Sequence, residues 1–283
     1  MRFFRKFAAG TAALAVTVSL AGCGLMGGND KDSVGKKDGD VTVLTIGATP
    51  VPQAKILKFV DDNLAKDAGL DLEIKEFTDY ALPNQALNDG DIDANYFQHE
   101  PYLTEEIDKK GYEFSHFRGI HIEPLALYSS KAKKVEDIKD GAKIAIPNDP
   151  SNMGRSLKLL EDAGLLKIKD GVEAVSATTH DVAENHKNIK FVEADAATLP
   201  RVMEDLDGAV INGNFALEGG LTPSKDGLFL EKPEDNPYAN LLVVRQSTKI
   251  DENIQKLNDL LHSDEVKKFI EDNWKDGTVI PAF

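Results

Sequence analysis

Two short stretches carry residue types from which a binding site could be built. The first, DANYFQHEPYL (Asp93 to Leu103), packs Tyr96, Phe97, His99 and Tyr102 into a chain that is only 7% aromatic. A core strand would use aliphatic residues and a solvent loop would use neither kind. Rings gathered just before a helix start therefore suit a surface that receives an apolar guest; a local hydrophobic cluster beneath a loop is the competing reading. The second stretch is IPNDPSNMGR, Ile146 to Arg155. Asn148, Asp149, Ser151 and Asn152 are all helix-capping types. Free backbone N–H groups and the helix dipole at such a start favour an anion. Arg155 lies one turn further on, where a guanidinium can grip a carboxylate through two parallel hydrogen bonds. Taken alone, it could equally be a solvated helix arginine.

Other chemistries fit less well. His99, His116 and His121 raise zinc, a common partner of imidazole. The chain has no HxxxH spacing, however, and its one cysteine is Cys23, so no metal is expected. His180-Asp181, or Ser151 with a histidine, could be imagined as hydrolytic. There is no GxSxG elbow and no GxxxxGK[ST] phosphate loop. The expectation is a protein with no catalytic residue and no cofactor. A structural or adhesive role is the third class, marked by failure to bind any small solute.

The elements around these stretches alternate. VTVLTIGAT reads as a strand and QAKILKFVDDNLAKDAG as a helix with apolar residues at helical spacing. LDLEIKEF, ANYFQ, LALYSS, AKIAIP, IKFVEAD, GAVING and NLLVVRQ read as further strands. ALPNQALNDG, PYLTEEIDKKG, SNMGRSLKLLEDAG, LPRVMEDL and the segment from Ile250 onward read as helices, and GLTPSKDG reads as a turn. This alternation argues for an α/β fold with mostly parallel sheets. Two βα sets of similar size suggest two lobes around a cleft: 41–126 with 238–283 as lobe 1, and 127–237 as lobe 2. The chain would cross near Leu125 to Ser130 and return near Asn236 to Asn240. A single wide sheet is the rival arrangement.

The first residues read as an address. MRFFRK is basic, FAAGTAALAVTVSL is an apolar run of signal-peptide length, and LAGC ends at Cys23 like a bacterial lipobox. Residues 1–22 are thus expected to be a signal peptide. Cys23 would be lipidated, and 23–40, rich in Gly, Asp and Lys, would be a flexible tether. A lone cysteine forms no internal disulfide. The formal charge of −15, or −18 once Arg2, Arg5 and Lys6 leave with the signal, excludes nucleic acid and anionic lipid headgroups as partners. A monomer on the extracytoplasmic face of a membrane, held by lipid, is expected.

DANYFQHEPYL, IPNDPSNMGRSLKLLEDAGLLKIKDG, VINGNFA, GLTPSKDGLFLEK and NPYANLLVVR together resemble the NlpA family of substrate-binding lipoproteins of methionine uptake. The similarity runs from Val41 to the end. It implies a two-lobed periplasmic-binding-protein fold with two interlobe crossovers. It also implies capture of methionine for an ABC permease and its ATPase, with a short methionyl peptide or another small amino acid as the alternative ligand. Matched residue by residue, the resemblance makes Tyr80, Phe97, His99 and Tyr102 the ligand aromatics and Arg155 the carboxylate partner. Asn212 and Asn240 become ligand asparagines, with Asn214 a further candidate. NGNF departs from the family's more frequent pattern at Gly213 and Phe215. The ring-rich stretch would then receive a thioether, which aromatic groups contact favourably at ~0.3–1.5 kcal/mol each. Micromolar binding needs about 8 kcal/mol, so the charged head of the ligand must contribute as well.

Overall fold

The computed structural model describes residues 34–234 and 236–283. The expected signal peptide, Cys23 and the start of the tether lie outside the described residues. The tether expected to run to Asp40 ends earlier: β1 (Lys36–Asp38) pairs antiparallel with β2 (Val41–Ala48), Lys36 opposite Val43. Gly35 N also donates to Asp93 Oδ1 at 3.0 Å. The polar composition of 34–40 hid this, because edge pairing through the backbone needs no apolar side chain.

β2 alternates because one face is core: Leu44 and Ile46 are fully buried, each worth roughly 1.5–3 kcal/mol. The chain continues through α1 (Lys55–Val60), β3 (Leu70–Glu76), α2 (Leu82–Asp89), β4 (Ala94–His99), α3 (Glu100–Lys110) and β5 (Phe114–Ile122). It then leaves this sheet. β6 (Ala126–Tyr128), β7 (Lys143–Pro147) and α4 (Pro150–Asp162) open a second layer, and β8 (Leu166–Ile168) pairs with β9 (Val182–Asn185) beside it. β10 (Lys190–Ala194), α5 (Leu199–Val202), β11 (Gly208–Ile211), α6 (Gly213–Glu218), α7 (Pro223–Asp226) and β12 (Gly227–Leu230) complete this layer. The chain returns as β13 (Asn240–Arg245), followed by α8 (Glu252–Leu261), α9 (Asp264–Asn273) and β14 (Ile280–Pro281).

Besides the β8-β9 pair, the described residues form two larger sheets, in the orders β1-β2-β4-β13-β5-β14, with β3 on the other edge of β2, and β10-β7-β11-β6-β12. Each has its own apolar core, one around Leu44, Ile46 and Leu242, the other around Leu127, Ile144 and Leu157. The architecture is thus the two-lobed α/β binding-protein fold, and the single wide sheet is excluded. Two expectations need correction. The outward crossing falls at residues 123–125, because Ala126 already pairs with Ile211 and Leu230. The sheets are also less parallel than alternation suggested: β13 re-enters between β4 and β5, antiparallel to both. A strand that arrives from the other lobe has no crossover helix to set a parallel sense. GLTPSKDG, read as a turn, contains the single helical turn α7.

The two chemistry-bearing stretches sit where strands end. His99 closes β4 and caps α3, its Nδ1 accepting from Tyr102 N at 3.2 Å. Asp149 follows β7 and caps α4, accepting from Asn152 N at 2.9 Å. In both helices Pro stands in the first turn, where no N–H is missed.

Candidate functional site

All eight side chains proposed from sequence meet in one hollow between the two sheets. Tyr80, Phe97, His99, Tyr102, Arg155, Asn212, Asn214 and Asn240 line it, with Gln98, Glu123, Asn152 and Gly213. Tyr80 comes from the loop after β3, Phe97 and His99 from the end of β4, and Tyr102 from the first turn of α3. Arg155 comes from α4, Asn212 and Asn214 from the β11–α6 junction, and Asn240 from the first residue of β13.

One end of the hollow is a cage of rings. Tyr80, Phe97 and Tyr102 form a triangle with centroids 5.8, 5.7 and 5.9 Å apart, and Phe215 backs Tyr80 at 4.8 Å. Both hydroxyls are turned away to other partners. Tyr102 donates to the Tyr80 carbonyl at 3.0 Å, and Tyr80 donates to Asn214 Oδ1. Burial pushes both phenols well above their ordinary pKa, so they remain donors.

The other end is polar and held from behind. Arg155 is buried, with Nε donating to Glu231 Oε1 at 2.8 Å and Nη2 donating to Glu231 Oε2 and to the Glu123 carbonyl. Its guanidinium lies over the Tyr238 ring at 4.3 Å. Burial alone would lower the Arg155 pKa, but the charge and hydrogen bonds of Glu231 outweigh it and raise the value. Burial would likewise raise Glu231, and Arg155 holds it below its ordinary range instead. Among the described residues Nη1 makes no hydrogen bond, which leaves one guanidinium edge for the hollow.

His99 bridges the layers. With Nδ1 accepting, Nε2–H donates to Asn152 Oδ1 at 3.1 Å, and Asn212 Nδ2 donates to the same oxygen at 2.9 Å. Burial, helped by the positive Arg155, lowers the imidazole pKa to about 3, so His99 is neutral at physiological pH. The Asn212 amide is thereby oriented, its Oδ1 buried with no partner among the described residues. Asn240 is oriented too: its Oδ1 accepts from Gln53 Nε2 at 3.0 Å, which aims Nδ2 away from Gln53.

Glu123, which sequence reasoning missed, completes the set. It is 5% exposed. Its Oε1 accepts from Gln53 Nε2 at 2.7 Å and His121 Nε2 at 2.9 Å, whereas Oε2 is buried with no partner among the described residues. Gly213 makes the room, since a Cβ there would lie 2.9 Å from Oε2. Glu231 and Tyr238 were missed as well. The available signal was an acid directly after an apolar run at each crossing: Glu123 after GIHI, Glu231 after LFL. A further expectation fails. The start of α4 is not free for an external anion, because Ser151 N donates to Glu105 Oε2 at 3.1 Å and Asn152 N donates to Asp149. His116 is peripheral, while His121 stands directly behind Glu123. Among the described residues no group of three or more His, Cys, Asp or Glu is placed to hold a metal ion.

The polar end thus presents acceptors (Glu123 Oε2, Asn212 Oδ1) and donors (Arg155 Nη1, Asn240 Nδ2), opposite a ring cage. Fold and site together define a two-lobed solute-binding protein whose hollow matches an apolar amino acid. Comparison with known proteins agrees. The NlpA lipoprotein family model matches residues 44–283, and the chain belongs to that family. It is 42% identical over 265 residues to a protein of Salmonella typhi named D-methionine-binding lipoprotein MetQ, covering 93% of each chain. A nutrient-binding protein from Burkholderia cenocepacia, solved bound to methionine, superposes with a TM-score of 0.81 at 42% identity, covering 85% of this chain and all of the other. Lipoprotein Tp32 from Treponema pallidum gives a TM-score of 0.80 at 38% identity, covering 85% and 99%.

Proposed function

We propose that this chain is the receptor of an ABC importer, which captures methionine as the free zwitterion and delivers it to a permease and its ATPase. The observation that carries this reading is the two-signed polar end facing the ring cage. The ammonium sits against Glu123 Oε2 and Asn212 Oδ1. The carboxylate takes Arg155 Nη1 and Asn240 Nδ2, and the thioether enters the cage of Tyr80, Phe97 and Tyr102, with the His99 ring alongside. Asn214 acts on the ligand indirectly, by holding the Tyr80 hydroxyl. A peptide bond at either end would remove a charge that Glu123 or Arg155 matches, so a free amino acid is favoured over a methionyl peptide.

The protein is a receptor and not an enzyme on this reading. The lining holds no serine, cysteine or lysine nucleophile, and both ring nitrogens of His99 are occupied. No helix among the described residues is long and apolar enough to cross a membrane. The lipobox-like LAGC supports attachment through lipid on Cys23, with the folded part on the extracytoplasmic face. The parts on either side of the crossings at 123–125 and 231–239 act as the two lobes that close on the ligand as a monomer.

Mass spectrometry of solute released on denaturing the purified protein, followed by calorimetry with L- and D-methionine, tests the reading. Reversible one-to-one binding without product is expected. Turnover of methionine, or no binding of either enantiomer, would overturn it. Cys23→Ser is expected to move the protein from the membrane to the soluble fraction on cell fractionation.

A further inference from the structure

Behind the polar end lies a second layer of side chains that does not line the hollow. Gln53 is its centre. It is 1% exposed and sits in the helical turn Pro50–Ala54 that follows β2. Its amide orientation is fixed from one side, because Thr49 Oγ1 donates to Gln53 Oε1 at 2.6 Å. The NH2 therefore faces the site, and its two hydrogens go to two different site residues: Glu123 Oε1 at 2.7 Å and Asn240 Oδ1 at 3.0 Å.

We propose that Gln53 is a positioning residue that sets which end of the polar site receives the ammonium and which the carboxylate. A single amide group does both. By occupying Glu123 Oε1, it leaves Oε2 as the free acceptor. By occupying Asn240 Oδ1, it turns Nδ2 outward as the free donor. Were Asn240 to flip, an acceptor would face the ligand carboxylate. His121 reinforces half of this arrangement: Nε2 donates to the same Glu123 oxygen at 2.9 Å, and its Nδ1 accepts from the Tyr96 hydroxyl. Among the described residues Glu123 Oε1 thus takes two protein donors, neither from the lining, and Oε2 takes none. The inference rests on the reading of Glu123 as the ammonium partner.

The test is calorimetry on the full chain with methionine and with its desamino analogue, which keeps the thioether and carboxylate. Gln53→Met, which keeps length and removes the donors, should lower methionine affinity about tenfold or more, the scale of hydrogen bonds to a charged group. The desamino analogue should lose less than about threefold, since Arg155 shares its carboxylate with Asn240. Thr49→Val frees the Gln53 amide to turn without emptying the core. It should give the same selectivity with a smaller loss, and it keeps the test open if Gln53→Met folds poorly. Equal losses for the two ligands, or none, would overturn the positioning role. Should the unaltered chain itself bind both ligands equally, the ammonium role of Glu123 fails, and the proposal with it.

Discussion

Glu123→Gln separates binding from folding with opposite signs. In the folded protein Glu123 Oε2 is a buried carboxylate oxygen with no partner among the described residues, while Oε1 accepts from Gln53 and His121. Glutamine keeps the volume and keeps an oxygen for those two donors, so the packing around Gly213 and Asn240 is retained. What changes is the charge. A buried acceptor left unsatisfied costs about 1–3 kcal/mol, more when charged. Removing the charge relieves that cost, so the melting temperature without methionine should hold or rise by up to about 4 °C for a domain of this size. The ligand loses its counter-charge in a desolvated site, an effect of roughly 2–5 kcal/mol. Asn212 Oδ1 remains as an acceptor, which places the expectation near the lower end, about 2–3 kcal/mol or a complex roughly 30-fold to 140-fold weaker. Thermal melts with and without methionine, alongside calorimetry, measure both quantities on one sample. An unchanged affinity would refute the assignment of the ammonium to Glu123. So would a fold destabilised in step with the lost affinity, since that would make Glu123 a scaffold residue.

Arg155→Ala differs, because it strands Glu231, a carboxylate buried against that guanidinium; it should cost about 3–5 kcal/mol of stability in denaturant melts as well as the ligand. Acid should weaken the fold through His99. Its folded pKa of about 3 lies below the ordinary 6.5, so the unfolded chain takes up the proton first. The stability this provides is complete above about pH 6.5 and is lost as pH falls toward 3, at about 1.4 kcal/mol per unit; melts of His99→Asn should show a flatter acid limb. Glu105→Ala should lower methionine affinity severalfold in calorimetry without touching the ligand. The lost contact, Glu105 Oε2 with Ser151 N, joins α3 of one layer to α4 of the other, and such a cap is worth about 0.5–2 kcal/mol.

Much of this was legible in the sequence. The ring-rich stretch and the α4 start were found by residue type alone, because rings and caps are rare enough to stand out. The alternation of strands and helices pointed to the α/β class; two lobes followed from two βα sets of similar size and from the family resemblance, on which Tyr80, Asn212, Asn214 and Asn240 also rested. The exact crossing did not follow: GIHIEPLALY is apolar on both sides of Glu123, so nothing marks where one sheet ends. The sense of β13 was hidden for a similar reason. A strand buried on both faces reads as a continuous apolar run whether it pairs parallel or antiparallel. The second layer was invisible. Gln53 and Glu231 lie far in sequence from the residues they hold, and His121, two residues from Glu123, gives no sign of its role in an apolar strand; only the fold puts Gln53 beside Glu123 and Asn240.

The charges of the polar end explain why the site should prefer an amino acid with an uncharged side chain. Arg155 and Glu231 form a buried ion pair, and Glu123 Oε2 has no hydrogen-bond partner among the described residues, so the ligand ammonium is placed to meet that oxygen. The carboxylate of the ligand meets Arg155, whose own charge is already balanced by Glu231, and so gains hydrogen bonds more than net attraction. A zwitterion therefore brings into the hollow one charge that is needed and one that is tolerated. An acidic side chain would carry a further negative charge to the ring cage, where the Tyr80 and Tyr102 hydroxyls are already donating elsewhere, and burying it unpaired would cost several kcal/mol. A thioether asks for no partner there. The cage selects by withholding hydrogen bonds, and the polar end selects by supplying them in one order.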